Sequence, residues 1–188
     1  MKTLLYFIYW PANTIWWCLQ SMSPFRIKSY GFLFVSNKGS IVLGKNIVVN
    51  SNRFANIIGG DTHSNFMVGR NAMLSLGDRV ALSNSTICCR ESVIIEHDVM
   101  IGGGCKIWDT DFHPISIEQR KKDPNSNYNN KPVRIQAHAF IGANSIIMKG
   151  VTIGENSVIG AGSVVRTDIP SNEIWAGNPA LFVKKLEH

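Results

Sequence analysis

An aliphatic residue returns every sixth place in the last third of the chain: Ile135, Ile141, Ile147, Ile153, Ile159 and Val165. Two places before each return stands a residue that is usually small, as at Ala139, Ser145, Val151, Ser157 and Ser163. A period of six fits neither the 3.6 of a helix face nor the plain alternation of a strand, unless each block is one short strand followed by a corner. The corner chemistry agrees. Gly142, Gly154 and Gly160 follow the aliphatic residue, and Asn144, Asn156 and Gly162 stand two places further on, where a turn tolerates positive φ. Three blocks close one triangular coil, and each coil buries its apolar edge only against its neighbours. The repeat therefore predicts an all-β solenoid prism.

Degraded copies carry the pattern towards the N-terminus in Leu43-Gly44-Lys45-Asn46-Ile47, Val68-Gly69-Arg70-Asn71-Ala72 and Leu76-Gly77-Asp78-Arg79-Val80. Ile95, Ile101 and Ile107 restore the strict spacing. Its phase slips where loops such as 59–66 interrupt the coils. About six coils of about 18 residues are expected over residues 40–172. An aromatic-rich segment, 1–39, precedes them, and a tail, 173–188, follows; its last residues, 186–188, read as a tag remnant. Within 108–132 the rhythm stops and charge, Asn and Pro take over. So long a loop in a compact solenoid is functional or disordered. Because it leaves and rejoins one stack, it should project from a corner as an arm.

The chain has 188 residues, 45% of them hydrophobic, enough for one domain with a real core. Its net charge of +6 suits an acidic partner such as a phosphate-bearing cofactor, an anionic glycan or a membrane surface. Nucleic acid is disfavoured, because no basic run exceeds Arg120-Lys121-Lys122 and no nucleic-acid motif is present. Cys18, Cys88, Cys89 and Cys105 show neither metal nor disulfide spacing, which points to a reducing cytoplasm. Residues 2–20 carry Tyr6, Phe7, Tyr9, Trp10, Trp16 and Trp17 and are broken by Pro11. That interruption fits neither a signal peptide nor a spanning helix. Two readings stand for residues 2–28: a segment packed on the protein's own assembly, or a peripheral anchor at the inner face of a membrane with Arg26 and Lys28 near lipid phosphates.

The arm opens with Trp108-Asp109-Thr110-Asp111-Phe112-His113-Pro114. Histidine's ordinary pKa near 6.5 makes a neutral imidazole available at pH 7, so His113 is the candidate general base, and Pro114 stiffens the chain after it. Asp109 or Asp111 is expected to hold the second ring nitrogen. His97 and His138 flank turns and should be solvated. His63 sits in the 59–66 loop with no assigned role. Cys105 occupies a small-residue position and reads as a buried structural thiol rather than a nucleophile.

Blocks such as Ile153-Gly154-Glu155-Asn156-Ser157-Val158 and Ile159-Gly160-Ala161-Gly162-Ser163-Val164 resemble the hexapeptide repeat of left-handed β-helix acyltransferases. Thr110-x-x-His113-Pro114, Asn84-Ser85-Thr86-Ile87, and the ending Asp168-Ile169-Pro170 with Trp175-Ala176-Gly177-Asn178-Pro179 are similar to the galactoside, maltose and polysaccharide O-acetyltransferases. The match runs nearly continuously over 133–183, with Leu181 where those enzymes tend to carry Arg. This resemblance implies a left-handed parallel β-helix, a homotrimer, and direct transfer from acetyl-CoA, without a metal, to a sugar hydroxyl of a saccharide or glycan precursor. It implies that His113 is the base and that Asn84, reaching over from the neighbouring subunit, binds the acceptor hydroxyl or the oxyanion. It places the pantetheine arm along Ala143, Ala161 and Gly162 beside Phe140, and the nucleotide phosphates near Arg166, Thr167 and Lys184.

Rival readings keep the fold. An antibiotic or amino-sugar acetyltransferase changes only the acceptor. A γ-type carbonic anhydrase needs three histidines to converge, and His97, His113 and His138 lack its clustered spacing. A non-enzymatic solenoid subunit would use the arm for docking and bind no acetyl-CoA.

Overall fold

The computed structural model describes residues 1–126 and 128–187; Asn127 of the arm and His188 of the expected tag remnant lie outside them. The described residues form six coils of a three-sided parallel β-helix. The first sheet stacks Ile27–Gly31, Ile47–Ser51, Ala81–Ser83, Met100–Gly103, Phe140–Ile141 and Val158–Ile159. The second stacks Phe34–Asn37, Asn65–Val68, Thr86–Cys89, Lys106–Trp108, Ile146–Ile147 and Val164–Val165. The third stacks Ser40–Leu43, Met73–Leu76, Ser92–Ile95, Val133–Ile135 and Thr152–Ile153, and Ile169 bridges to Ile153 beyond them.

Register puts like on like. Down the second sheet Val35, Phe66, Ile87, Ile107, Ile147 and Val165 lie directly over one another, all fully buried. These inward columns are the core. Two separate constraints explain the corners. Asn144, Asn156 and Gly162 adopt φ of 60°, 60° and 72°, the left-handed conformation that Asn and Gly tolerate. Gly142 has a different reason: a Cβ there would sit 2.5 Å from the backbone nitrogen of Ala161 in the next coil.

Parallel stacking begins at Ile27, which pairs with Ile47, rather than at residue 40. Residues 27–39 lack the Gly-x-Asn corner, so the six-residue rhythm does not announce the first coil. The interrupting loop runs over 52–64, and Asn65–Val68 already pairs in the second sheet. The C-terminal tail is also built into the prism. Glu173–Ala176 joins the first sheet in parallel, and Leu181–Lys185 pairs antiparallel outside it.

Residues Lys2–Leu19 form a single helix, α1, despite Pro11. Proline removes one N–H from the ladder, and here it lies on the exposed face of the helix, away from the packed coil. The other face of α1 caps the open end of the first coil. Asn13 donates through Nδ2 to the Gly31 carbonyl (2.9 Å) and accepts at Oδ1 from the Leu33 N–H (3.1 Å). The indoles of Trp16 and Trp17 donate to the carbonyls of Val35 and Leu33. Backbone groups that lack a preceding coil are thereby satisfied, which protects an edge that would otherwise pair with another chain.

Candidate active site

The chain turns three corners per coil, and candidate residues fall on all of them. The first corner joins the first sheet to the second, the second corner joins the second sheet to the third, and the third corner leads back to the first sheet.

His113 lies at the root of the arm, on the second corner of the fourth coil. Its Nδ1 is 2.7 Å from the carbonyl oxygen of Pro124. A carbonyl can only accept, so Nδ1 donates to it, and Nε2 of the exposed ring is the nitrogen left to take a proton. The arm folds back to make this contact. A short helix, α2 (Ile117–Lys122), is capped by Ser116, and the Arg120 guanidinium donates to the carbonyls of Pro114 (2.9 Å) and Ile115. At the arm's base Thr110 bridges to Asn130, and the Lys131 N–H donates to the Asp109 carbonyl (2.9 Å).

Neither expected carboxylate orients the imidazole. The Asp109 side chain is fully buried and accepts from the backbone N–H groups of Arg90, Glu91 and Ser92 at 2.7, 2.7 and 2.8 Å. Three donors at the corner of the preceding coil claim it before the ring can. Asp111 is ion-paired with Lys149 at 2.5 Å, and Lys149 also donates to the Asn129 carbonyl. Pro124, Arg120 and Lys149 had no signal in the sequence, because an aperiodic loop does not reveal which of its carbonyls returns to its root.

The first corner carries Asn84 in the third coil, Ala143 in the fifth, and Ala161 and Gly162 in the sixth. Asn84 has φ 45°, and its Nδ2 donates to the carbonyls of Thr62 (2.7 Å) and Gly60 (3.2 Å). Those two acceptors fix the amide orientation and use both of its hydrogens. Asn84 thus has no amide hydrogen left for an oxyanion, whereas its Oδ1 is buried, without a partner among the described residues, and can still accept from an acceptor hydroxyl. It anchors the 52–64 loop beside a cavity of about 190 Å³ that Asn65, Thr86, Gly104 and Asn144 also line. Below it the corner is bare. A Cβ built on Gly162 meets no heavy atom within 4 Å, so backbone there is open to a ligand.

Phe140 projects from the first sheet, 42% exposed, and Lys184 lies on the outer hairpin strand of that sheet. Arg166 and Thr167 follow the Val164–Val165 strand and sit on the second corner. One chain therefore carries Ala143, Ala161 and Gly162 on its first corner, Phe140 and Lys184 on the adjoining first sheet, and His113, Arg166 and Thr167 on its second corner.

His97 and His138 meet at the third corner, ring centroids 5.0 Å apart, with Asp98 2.9 Å from His97 Nδ1. Their ligand atoms and that of Asp98 lie within 4.8 Å of one another, an arrangement the sequence did not disclose. Arg79 already binds both oxygens of Asp98, at 2.7 and 2.6 Å, and with His97 holds that carboxyl well below the usual range. A cation would have to displace the guanidinium. His113 lies on a different corner, so within one chain the three histidines do not converge in the manner of a γ-type carbonic anhydrase site. Cys105 is buried, donates to the Gly142 carbonyl, and burial pushes its thiol up, which suits a structural role.

Residues 132–167 match the model of the bacterial transferase hexapeptide family, six repeats. A solved maltose O-acetyltransferase of Clostridium difficile is 30% identical over 78% of this chain and 70% of its own, with a TM-score of 0.64. The chain belongs to the hexapeptide-repeat transferase family. Its fold is accordingly the left-handed parallel β-helix of that family. A galactoside O-acetyltransferase of Lactococcus lactis is 34% identical over 77% of this chain. A hexapeptide-repeat acetyltransferase of Vibrio cholerae, solved with acetyl coenzyme A, is 27% identical over 65% of this chain and 66% of its own, with a TM-score of 0.59. The chain spans under two thirds of the curated relatives it matches, 62% of the lactococcal family member.

Proposed function

We propose that the protein is an acetyl-CoA-dependent O-acetyltransferase acting on a sugar hydroxyl of a saccharide or glycan precursor. The observation that carries this reading is the His113 imidazole, with Nδ1 tied to a carbonyl and Nε2 open at the root of the arm. A base with its tautomer fixed can take the hydroxyl proton as the oxygen attacks a thioester carbonyl. The relatives' names, two sugar O-acetyltransferases and an acetyltransferase solved with acetyl coenzyme A, support the same chemistry.

Groups needed together lie on two edges of one chain, so the complete site requires two chains. Both edges border the second sheet. Its outer face carries an apolar patch, with Phe34 and Met67 exposed and Trp108 edge-on to Phe112 beside a hollow of about 310 Å³ that Thr86, Arg90 and Lys106 also line. A trimer packed about that face sets the arm of each chain against the first corner of the next. Acetyl-CoA would lie in this groove with its pantetheine along Ala143, Ala161 and Gly162 and beside Phe140. Lys184, with Arg166 and Thr167 of the adjoining chain, would meet the phosphates. Asn84 holds the loop that borders the acceptor, and oxyanion stabilisation falls to backbone N–H groups.

Coenzyme A in a thermal-shift assay separates this from a non-enzymatic solenoid. At a hundredfold its Kd a ligand stabilises by about 2.7 kcal/mol, which for this chain length raises Tm by roughly 5–10 °C. No shift at millimolar coenzyme A would contradict the proposal.

A further inference from the structure

All of the protein's net charge resides in its first third. Six of the 19 Lys and Arg residues precede Asp61 and no Asp or Glu does, so the remaining 13 basic and 13 acidic residues cancel. At the same end of the molecule α1 is fixed by its polar and indole groups to the first coil, and its outer face has nowhere to fold back. That face presents Leu4, Phe7, Ile8, Ile15 and Leu19, each between 58% and 72% exposed, and Phe25 beyond the helix is 86% exposed. The helical side chains among these share one face of α1, so they form a contiguous apolar stripe rather than scattered exposed residues.

Cations lie at the seam between α1 and the first coil. Lys28 Nζ stands 5.5 Å from the ring centroids of both Tyr6 and Tyr30, and Lys2 Nζ stands 5.8 Å from that of Tyr30. Two ammonium groups thus share one ring, with no carboxylate in this stretch of sequence to balance them. Beside them an open hollow of about 400 Å³ is lined by Tyr6, Trp10, Phe25, Arg26 and Lys28. Aromatic walls with a cationic floor suit an anionic headgroup. No helix among the described residues is long and apolar enough to cross a bilayer.

We propose that the outer face of α1, together with Phe25, seats the protein on an anionic phospholipid surface, with Lys2, Arg26 and Lys28 at headgroup level. A helix of this kind lies in the interfacial plane, its apolar side chains in the acyl boundary and its cations against lipid phosphates. The inference does not depend on the reaction proposed above, since the candidate site lies elsewhere on the prism.

The test is sedimentation of the intact chain with vesicles of phosphatidylcholine alone and with phosphatidylglycerol added. Binding is expected to the anionic vesicles at low salt and not to the neutral ones. Arg26→Ala with Lys28→Ala should weaken it on the order of 30-fold. Ile8→Glu with Phe25→Ser should abolish it, while the thermal melt and coenzyme A binding stay unchanged because these side chains are exposed. Absence of binding by the unaltered chain overturns the proposal, as does binding indifferent to Ile8→Glu with Phe25→Ser. A native mass by light scattering that falls in the Ile8→Glu variant also overturns it, by assigning the face to contact between copies of the chain.

Discussion

Replacing His113 with Ala is expected to lower the rate of acetyl transfer by about 10²–10⁴-fold, the range general-base assistance supplies. That is about 3–5 kcal/mol of transition-state stabilisation. The loss should fall on kcat, because the ring acts on a proton that moves only as the new bond forms. Stability should hardly change, since the imidazole is exposed and its one hydrogen bond joins two parts of the same arm. Steady-state kinetics with an unchanged melting curve would confirm this pattern. Transfer at the unaltered rate would remove His113 from the mechanism.

Asp109→Ala should behave in the opposite way. Its carboxylate accepts three backbone N–H groups at the corner of the preceding coil, and hydrogen bonds to a charged group contribute about 1.5–3 kcal/mol each. The exposed Arg90 and Glu91 let the corner relax and recover part of the loss, leaving a cost of about 3–5 kcal/mol. For a chain of this length that lowers Tm on the order of 10 °C. Activity should fall too, because the carboxylate fixes to the preceding coil the segment from which the arm departs. A variant that loses activity while melting as before would restore Asp109 to the role of orienting the His113 ring.

The contrast between these two residues shows what the sequence could disclose. His113 was legible because it stands where a strict period breaks, and a break in a repeat is visible without any structure. Asp109 was misread because a carboxylate four places from a histidine invites pairing, whereas its true partners are main-chain donors, which have no letter in the sequence. Pro124 escaped notice for the same reason: its carbonyl, not its ring, does the holding. The fold shows a similar division. Ile135 to Val165 disclosed the columns outright, since every sixth residue must point inward. Residues 27–39 did not, because the first coil closes without a Gly-x-Asn corner and is capped by α1 instead of another coil. Pro11 hid that helix by resembling a break.

A site completed between two chains can be tested by co-assembly of two defective chains. His113→Ala lacks the base, and Ala161→Trp fills the bare first corner on which the cofactor would lie; each alone should be nearly inactive. In randomly mixed trimers about a quarter of the junctions pair an intact arm with an intact corner, so about a quarter of the unaltered activity should return. No recovery from mixed assemblies that still bind coenzyme A would mean that each chain works alone, and would contradict the shared groove.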